Sequence, residues 1–224
     1  MGAAIGQSLQ MAVGVALSPM PIIAVILLLT TPGARRNGPA FVVGWLAGLA
    51  VIGVLVLAVI GPSAHGGPGH PATWVRWLQL TLGVLLLYVS VRQFRGRPEA
   101  GAEAPMPGWM RSVEQFGAAR SLGVGAFLSG LNVKNLLLAV AAATAIAKTG
   151  IPGGQEAVAY AVFAVIGTVT VAAPVVLYVT MGARSERLLA RLKSWMSRNN
   201  AVIMSVLCLV IGAKLLGDAI SVMP

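Results

Sequence analysis

Residues 127–140 read "FLSGLNVKNLLLAV" and place one lysine and two asparagines inside an apolar run. Lys134 lies between Asn132 and Asn135, separated from the first by one valine. A lysine at the centre of a bilayer costs about 2.5–3.5 kcal/mol on insertion scales, so an intramembrane charge suggests a functional partner. The stretch therefore raises two linked questions: whether this run crosses a membrane, and what its ammonium group binds there.

The composition indicates an integral membrane protein. Of 224 residues, 57% are hydrophobic and 10% are charged, whereas soluble domains carry about 25% charged residues. The net charge of +10 is concentrated in a few connections and forms no motif for nucleic acid. Enzyme motifs for phosphate binding, acyl transfer or zinc proteolysis are missing from the sequence. The lone Cys208 and the pair His65 and His70 do not predict a metal site, so we expect neither catalysis nor a cofactor.

Six apolar runs are long enough to cross the hydrocarbon core, which requires about 20 residues. Stretches rich in proline and glycine, or in charge, separate them. The predicted fold class is an all-α membrane protein with six transmembrane helices. The predicted spans are 8–31, 39–60, 73–94, 118–147, 156–182 and 200–222.

Basic residues alternate between the connections, as the positive-inside rule requires. The first, third and fifth connections are rich in arginine, whereas the second has no lysine or arginine and the fourth has only Lys148. We therefore expect the arginine-rich connections in the cytoplasm and both termini outside. Residues 184–198, "RSERLLARLKSWMSR", place apolar side chains at helical spacing among basic ones. They predict either a helix on the inner leaflet surface or an extension of the fifth span into solvent.

A short internal match indicates a duplicated three-helix unit. Residues 14–21, "GVALSPMP", align without a gap with residues 125–132, "GAFLSGLN", and share a glycine, a leucine and a serine. Because three spans reverse the direction of the chain, the second copy is expected to be inverted. The expected organisation is a repeat over 1–96, a cytoplasmic linker over 97–117 and a second repeat over 118–224. Inverted-repeat transporters bind substrate near the midplane, on broken helices.

The candidate substrate site combines two predicted helix breaks. Prolines remove backbone donors from the first span, and Gly130 precedes the polar group of the fourth span. We predict that the Lys134 ammonium attracts an anionic headgroup and that the flanking amides orient it. The alternative is structural: Lys134 could snorkel or bond to carbonyls freed by the prolines, and Ser18 could satisfy a simple kink. The predicted substrate-binding residues are Lys134, Asn132, Asn135, Ser18, Pro19 and Pro21.

Other residues indicate a gate or close helix packing. Pro174 interrupts the fifth span, either as a hinge or as a simple kink. Lys214 and Asp218 are four residues apart on the sixth span and can meet on one helix face. This pair predicts either an outer gate or an ordinary interfacial ion pair. Gly44 and Gly48 form a GxxxG motif, which indicates close packing within the monomer or in a homodimer.

Four stretches resemble one known family. In chain order they are "ALSPMPIIAVILLL" at 16–29, "RRNGPAFVVGWLAGLA" at 35–50, "PGWM" at 107–110 and "NVKNLLLAVAAATAIA" at 132–147. In sequence and order they are similar to the GAP family, the glycopeptidolipid- or sulfolipid-addressing membrane proteins of the wider lysine-exporter superfamily. This resemblance implies six helices in a bacterial plasma membrane, that of an actinobacterium, and a role in moving cell-envelope lipids outward.

The chain departs from the pattern of that family at one position. The family's second signature resembles Asn-Pro-Lys-Asn, whereas residues 132–135 read Asn-Val-Lys-Asn. The polar members survive, so the resemblance still implies a shared site. The sharp break that a proline would give the fourth helix does not follow from this sequence.

Three functions remain open at this point. The first is alternating-access export of an envelope lipid or glycolipid with an anionic headgroup. The second is small-solute export of amino acids or ions, although a cation path would carry central acidic residues and all six acids lie in connections or near span ends. The third is a non-transporting scaffold for lipid assembly. Candidate partners are accordingly membrane lipids, the anionic lipid substrate, a second copy of the chain and envelope-synthesis proteins.

Overall fold

The computed structural model is all-helical over the residues that it describes, 1–60, 73–96 and 115–220. Within those ranges it contains eight α-helices and no β-strand. A short 3-10 turn, Gly182–Arg184, joins the last two helices. The helices are α1 Gly2–Ala16, α2 Pro19–Leu29, α3 Ala34–Ile60, α4 Thr73–Arg95, α5 Ala118–Gly130, α6 Val133–Ala147, α7 Gly153–Met181 and α8 Ser185–Ile220.

The lengths and hydropathy of the helices confirm a multi-pass membrane protein. Four helices, α3, α4, α7 and α8, are each long and apolar enough to cross a membrane. The other four form two pairs, and each pair passes the same test as one bent span. The bend is 50° between α1 and α2 and 63° between α5 and α6. The described residues thus provide four spans, or six when each bent pair counts as one.

The first break follows from the prolines of the first span. α1 ends at Ala16, and Pro19 and Pro21 lie in the first turn of α2. A proline cannot continue a helix, because its ring removes a donor and clashes with the preceding turn. At the start of a helix it is well tolerated, because the first N–H groups have no intrahelical partner. Ser18 is extended at the junction, with φ −71° and ψ 109°.

The second break forms without a proline. α5 ends at Gly130, and Asn132 is extended at the N-cap of α6, with φ −68° and ψ 118°. The bend here is larger than the one at the prolines. Asparagine is a preferred residue at this position of a helix. The valine at position 133 therefore does not straighten the fourth span.

The two breaks do not coincide with the gapless sequence match. That match pairs Ser18 with Ser129, whereas the residue that precedes the second half-helix is Ser18 in one case and Asn132 in the other. The structural breaks are thus offset by three residues from the match. Each half of the chain nevertheless contains one bent pair followed by two long helices.

Glycines bring α3 and α5 into close contact. A Cβ atom on Gly44 would lie 1.9 Å from the carbonyl oxygen of Leu122, and one on Gly48 would lie 2.1 Å from Oγ of Ser129. The contacts follow the same order along both helices, so α3 and α5 run parallel. Both glycines of the predicted GxxxG motif therefore pack inside the monomer.

The packing of α4 against α8 is antiparallel. Ser90 Oγ donates a 2.7 Å hydrogen bond to the carbonyl of Ser205. Further along, a Cβ atom on Gly212 would lie 3.0 Å from the carbonyl oxygen of Gly83. The close packing of α4 and α8 therefore places residues near position 90 beside residues near position 205, and residues near position 83 beside residues near position 212.

The basic segment at 184–198 belongs to the sixth span, which corrects both interpretations of the sequence. α7 ends at Met181, and Gly182 turns the chain with φ +55°. Glycine adopts a positive φ readily because it has no Cβ atom. From Ser185 the chain continues as one helix of 36 residues to Ile220. Within its basic part, Leu189 and Met196 are buried in the core.

Some predictions concern residues outside the described ranges. These residues are His65 and His70, most of the predicted linker over 97–117, and the last residues of the predicted sixth span.

We expect Gly44→Ala to destabilise the protein, because the added methyl group would overlap the backbone of α5. Overpacking of a tight core typically costs about 1–3 kcal/mol. The measurement is the unfolding midpoint of the purified protein in detergent. The control is Gly123→Ala on α5, where an added Cβ atom would meet no atom within 4 Å. Equal midpoints for the two variants would contradict the close contact of α3 and α5.

Candidate functional site

Lys134 is buried in the first turn of α6, with 2% of its surface exposed. Its Nζ atom donates a 2.6 Å hydrogen bond to the carbonyl oxygen of Gly14 in α1. The usual helical partner of that carbonyl is the amide of Ser18, which bonds instead to Val15 at 3.2 Å. The ammonium group thus lies at the carboxyl end of α1, where the helix dipole attracts a cation.

Asn135 links the two breaks through its amide. Its Oδ1 atom accepts a 2.8 Å hydrogen bond from Ser18 Oγ. Its Nδ2 atom donates a 2.9 Å hydrogen bond to the carbonyl of Leu128, near the end of α5. Both Ser18 and Asn135 are buried. The first turn of α6 therefore satisfies freed carbonyls of α1, through Lys134, and of α5, through Asn135.

A third side chain completes the end of α1. Thr170 Oγ1 on α7 donates a short hydrogen bond to the carbonyl of Ala16. In hydrocarbon no water is available for carbonyls that a helix break leaves unpaired. The helix break at the prolines thus leaves carbonyls at the end of α1 without their helical partners, and polar side chains of α6 and α7 supply the donors. This is the structural role that the sequence left open for Lys134.

The same lysine also lines a cavity of about 540 Å³, which we call the Lys134 cavity. It lies between α2, α4, α6 and α8. Lys134 and Arg92 give it two cationic side chains, and none of the described residues that line it is acidic. The lining residues are Met20, Val89, Arg92, Gln93, Gly96, Asn132, Val133, Lys134, Asn200 and Met204.

The amino end of α6 adds to the positive character of this cavity. Val133 and Lys134 are the first two residues of the helix, and amides in the first turn have no intrahelical partner. Such N–H groups, together with the positive end of the helix dipole, favour anions. Across the cavity, Asn200 has a buried side-chain oxygen without a hydrogen-bond partner among the described residues.

The six predicted substrate-binding residues divide into two groups. Lys134 and Asn132 line the cavity. Ser18 and Asn135 form a buried hydrogen-bonded pair that joins the breaks, and Pro19 and Pro21 are buried in the first turn of α2. The cavity residues that the sequence did not single out are Arg92, Gln93 and Asn200. In the sequence, Arg92 is only one of several charges near the end of a predicted span. No sequence pattern indicates that α4 lies next to α8.

The predicted gating residues lie elsewhere. Pro174 is buried inside α7, which continues through it as one helix. Lys214 Nζ and Asp218 Oδ2 form a 2.5 Å ion pair on α8. Both line a second cavity, of about 290 Å³, which we call the Lys214 cavity. Its lining residues are Gln7, Met11, Gln79, Ala145, Lys148, Lys214 and Asp218.

We expect Asn135→Ala to lower stability, because it leaves the Leu128 carbonyl and the Ser18 hydroxyl unpaired in the core. An unsatisfied buried group costs about 1–3 kcal/mol. Thermal unfolding in detergent measures the loss. Asn199→Ala is the matched control, because its amide bonds only to Trp195 of its own helix at an exposed position. A loss no larger than that of the control would show that the breaks do not depend on this amide.

Comparison with known proteins identifies the family. The model of the sulfolipid-1-addressing protein family, Sap, matches residues 9–221. No curated protein and no solved structure matches the chain. The match confirms the expected sulfolipid-addressing family, whereas membership of the lysine-exporter superfamily stays a prediction. The chain belongs to the sulfolipid-1-addressing protein family.

Proposed function

We propose that this protein moves a cell-envelope lipid with a sulfate- or phosphate-type headgroup across the bacterial plasma membrane by alternating access. The observation that carries the proposal is the buried Lys134 at the wall of a cavity without acidic lining residues among those described. The sulfolipid-addressing family and the apolar helices fit a membrane protein that handles envelope lipids.

The chemistry of the cavity favours an oxyanion. An ammonium group has three donors, and Lys134 gives one of them to Gly14. The remaining donors, the first amides of α6 and the Arg92 guanidinium can all donate to sulfate or phosphate oxygens. Half-helix amino ends point at anionic substrate groups in transporters built on broken helices. The unpaired oxygen of Asn200 suits a hydroxyl donor on the same headgroup, such as that of a sugar.

The bond between Lys134 and Gly14 implies two arrangements of the proposed site. The ammonium bonds to the Gly14 carbonyl in one and to the headgroup in the other. In the structure, the ammonium is held by a carbonyl of α1. An anionic ligand competes for that ammonium, because hydrogen bonds between two ionised groups are stronger than those to a neutral carbonyl. Binding of the headgroup would then weaken the contact between α1 and α6. This coupling is our proposed link between substrate and helix movement.

We further propose that the two halves, 1–96 and 118–224, are inverted repeats and that both termini face outward. The bent pair at the start of each half and the parallel course of α3 and α5 support this arrangement. The distribution of basic residues supports the orientation. Under this topology the Lys134 cavity lies on the cytoplasmic side of the midplane and the Lys214 cavity on the outer side.

The orientation can be tested with single cysteines in a Cys208→Ala background. We expect an impermeant maleimide to label Gly2→Cys in intact cells and Arg187→Cys only after permeabilisation, because both positions are exposed at opposite ends of the bundle. The readout is the labelled fraction on a gel. The opposite pattern would reverse the proposed topology.

Export of a small cation is less well supported. Such a path needs acidic side chains in the membrane, and the described lining of the Lys134 cavity has none. The scaffold alternative predicts no lipid movement by the isolated protein. A transport measurement with a sulfated lipid therefore separates these functions.

We expect Lys134→Met to reduce transport of a fluorescent galactosylceramide sulfate at least about tenfold, since one charge-assisted bond contributes about 1.5–3 kcal/mol. Uptake is measured in energised inverted vesicles from a bacterium that expresses the protein. Unsulfated galactosylceramide is the matched lipid, and we expect the wild-type protein to transport it more slowly.

Thr170→Val is the matched protein control for this test. It removes the other side-chain donor to the end of α1 but leaves the Lys134 cavity unchanged. We expect it to lower the unfolding midpoint while transport per folded molecule persists. Undiminished transport by Lys134→Met at normal abundance would refute the proposed site. Equal rates for the two lipids would refute the proposed headgroup.

A further inference from the structure

The Lys214 cavity is polar on all the helices that form it. α1 contributes Gln7, α4 contributes Gln79, the end of α6 contributes Lys148, and α8 contributes Lys214 and Asp218. Gln79 is 2% exposed, and a buried amide needs hydrogen-bond partners to offset the cost of its burial. Its described lining residues include two lysines and one aspartate. Ammonium groups and side-chain amides are donors that suit an oxyanion.

The polar groups of this cavity hold one another in place. Lys148 Nζ donates a 2.8 Å hydrogen bond to Gln79 Oε1. The Lys214 ammonium is 2.5 Å from the Asp218 carboxylate. Asp218 is 45% exposed, whereas Lys214 is 27% exposed. The carboxylate is therefore less enclosed by the protein than the lysine is, and an anion that displaced it could bind Lys214 in its place.

The two cavities are aligned along shared helices. On α6, Lys134 lines one cavity and Ala145 the other. On α8, the corresponding residues are Met204 and Lys214. At 1.5 Å per residue, each pair is separated by about 15 Å along the helix. Arg92 and Gln79 mark the same two levels on α4.

A thin apolar layer separates the cavities. It consists of Gly14 on α1, Leu138 on α6 and Ile211 on α8. A Cβ atom on Gly14 would lie 2.5 Å from Ile211 and 3.0 Å from Leu138, so the three helices touch at this level. The carbonyl of Gly14 at the same level accepts the Lys134 hydrogen bond. Release of the bond between Lys134 and Gly14 would therefore free α1 at the level where it packs against Leu138 and Ile211.

We propose that the Lys214 cavity is a second binding site for the sulfate- or phosphate-type group of the transported lipid, occupied after the headgroup leaves Lys134. This inference rests on the proposed function. Lys148 and Lys214 bind the oxyanion, and Asp218 competes with it for Lys214. The volume of about 290 Å³ suits a headgroup rather than a whole lipid, since pockets for drug-sized molecules measure about 300–1,000 Å³. Competition by Asp218 would keep the second site weak enough to release its ligand.

The test measures binding of galactosylceramide sulfate to the full chain in neutral-lipid nanodiscs. The Lys134→Met, Arg92→Met background removes both cationic side chains from the Lys134 cavity, and we expect the Lys214 cavity to retain saturable binding of the sulfated lipid. Adding Lys148→Met and Lys214→Met should weaken that binding at least about tenfold, since two charge-assisted donors are lost. Unchanged binding in the quadruple variant would overturn the second site. Normal transport by Lys134→Met alone would instead refute the proposed function.

Asp218→Asn provides a test in which the expected result is a gain of affinity, which misfolding would not produce. It keeps both lysines and removes the competing carboxylate, so the Lys134→Met, Arg92→Met, Asp218→Asn protein should bind the sulfated lipid more tightly, by about tenfold. Binding that is unchanged or weaker would overturn the proposal. Inorganic sulfate as competitor identifies the source of the oxyanion. Displacement of the lipid at similar concentrations supports a site for the free anion, whereas resistance to sulfate supports a site for the lipid headgroup.

Discussion

The structure depends on the need to satisfy backbone carbonyls where two membrane helices are broken. Hydrocarbon offers no water to the freed carbonyls, and the structure supplies their donors from side chains. Lys134 bonds to Gly14, Asn135 bonds to Leu128, and Thr170 bonds to Ala16. These contacts tie α1, α5, α6 and α7 together at one level of the bundle. The remaining long helices pack around that level.

Lys134 thereby combines a structural role with a proposed binding role, which the sequence analysis left open as alternatives. The hydrogen bond to a freed carbonyl explains how the chain tolerates a buried ammonium. The position at the wall of a cavity explains how the same ammonium can meet a ligand. The Lys134 ammonium is already removed from water and paired with a neutral carbonyl. Its exchange of that carbonyl for an oxyanion therefore has a smaller desolvation penalty than the transfer of a hydrated ammonium to the same site. The structural role thus prepares the proposed binding role.

Hydropathy and proline were sufficient to predict the apolar helices and the first break, because both act locally, but they did not predict that residues 185–198 belong to the last helix. The fourth span shows where local rules are weaker: Gly130 and Asn132 break the helix by 63° although the usual proline is replaced by a valine. Partners across the bundle could not be predicted. Lys134 and Gly14 are 120 positions apart, and one sequence does not show which helices are neighbours. For the same reason Arg92 and Asn200 were not recognised as cavity residues.

The uninterrupted course of α8 has a mechanical consequence. Its 36 residues span about 54 Å at 1.5 Å per residue, well beyond a hydrocarbon core of about 30 Å. The basic end therefore projects past the apolar region, while Met204 and Lys214 on the same rod border the two cavities. Under the proposed topology the arginines of this end face the anionic inner leaflet, and a tilt of α8 there would move the walls of both cavities together. Inner-leaflet lipids would then influence both proposed sites through a single helix.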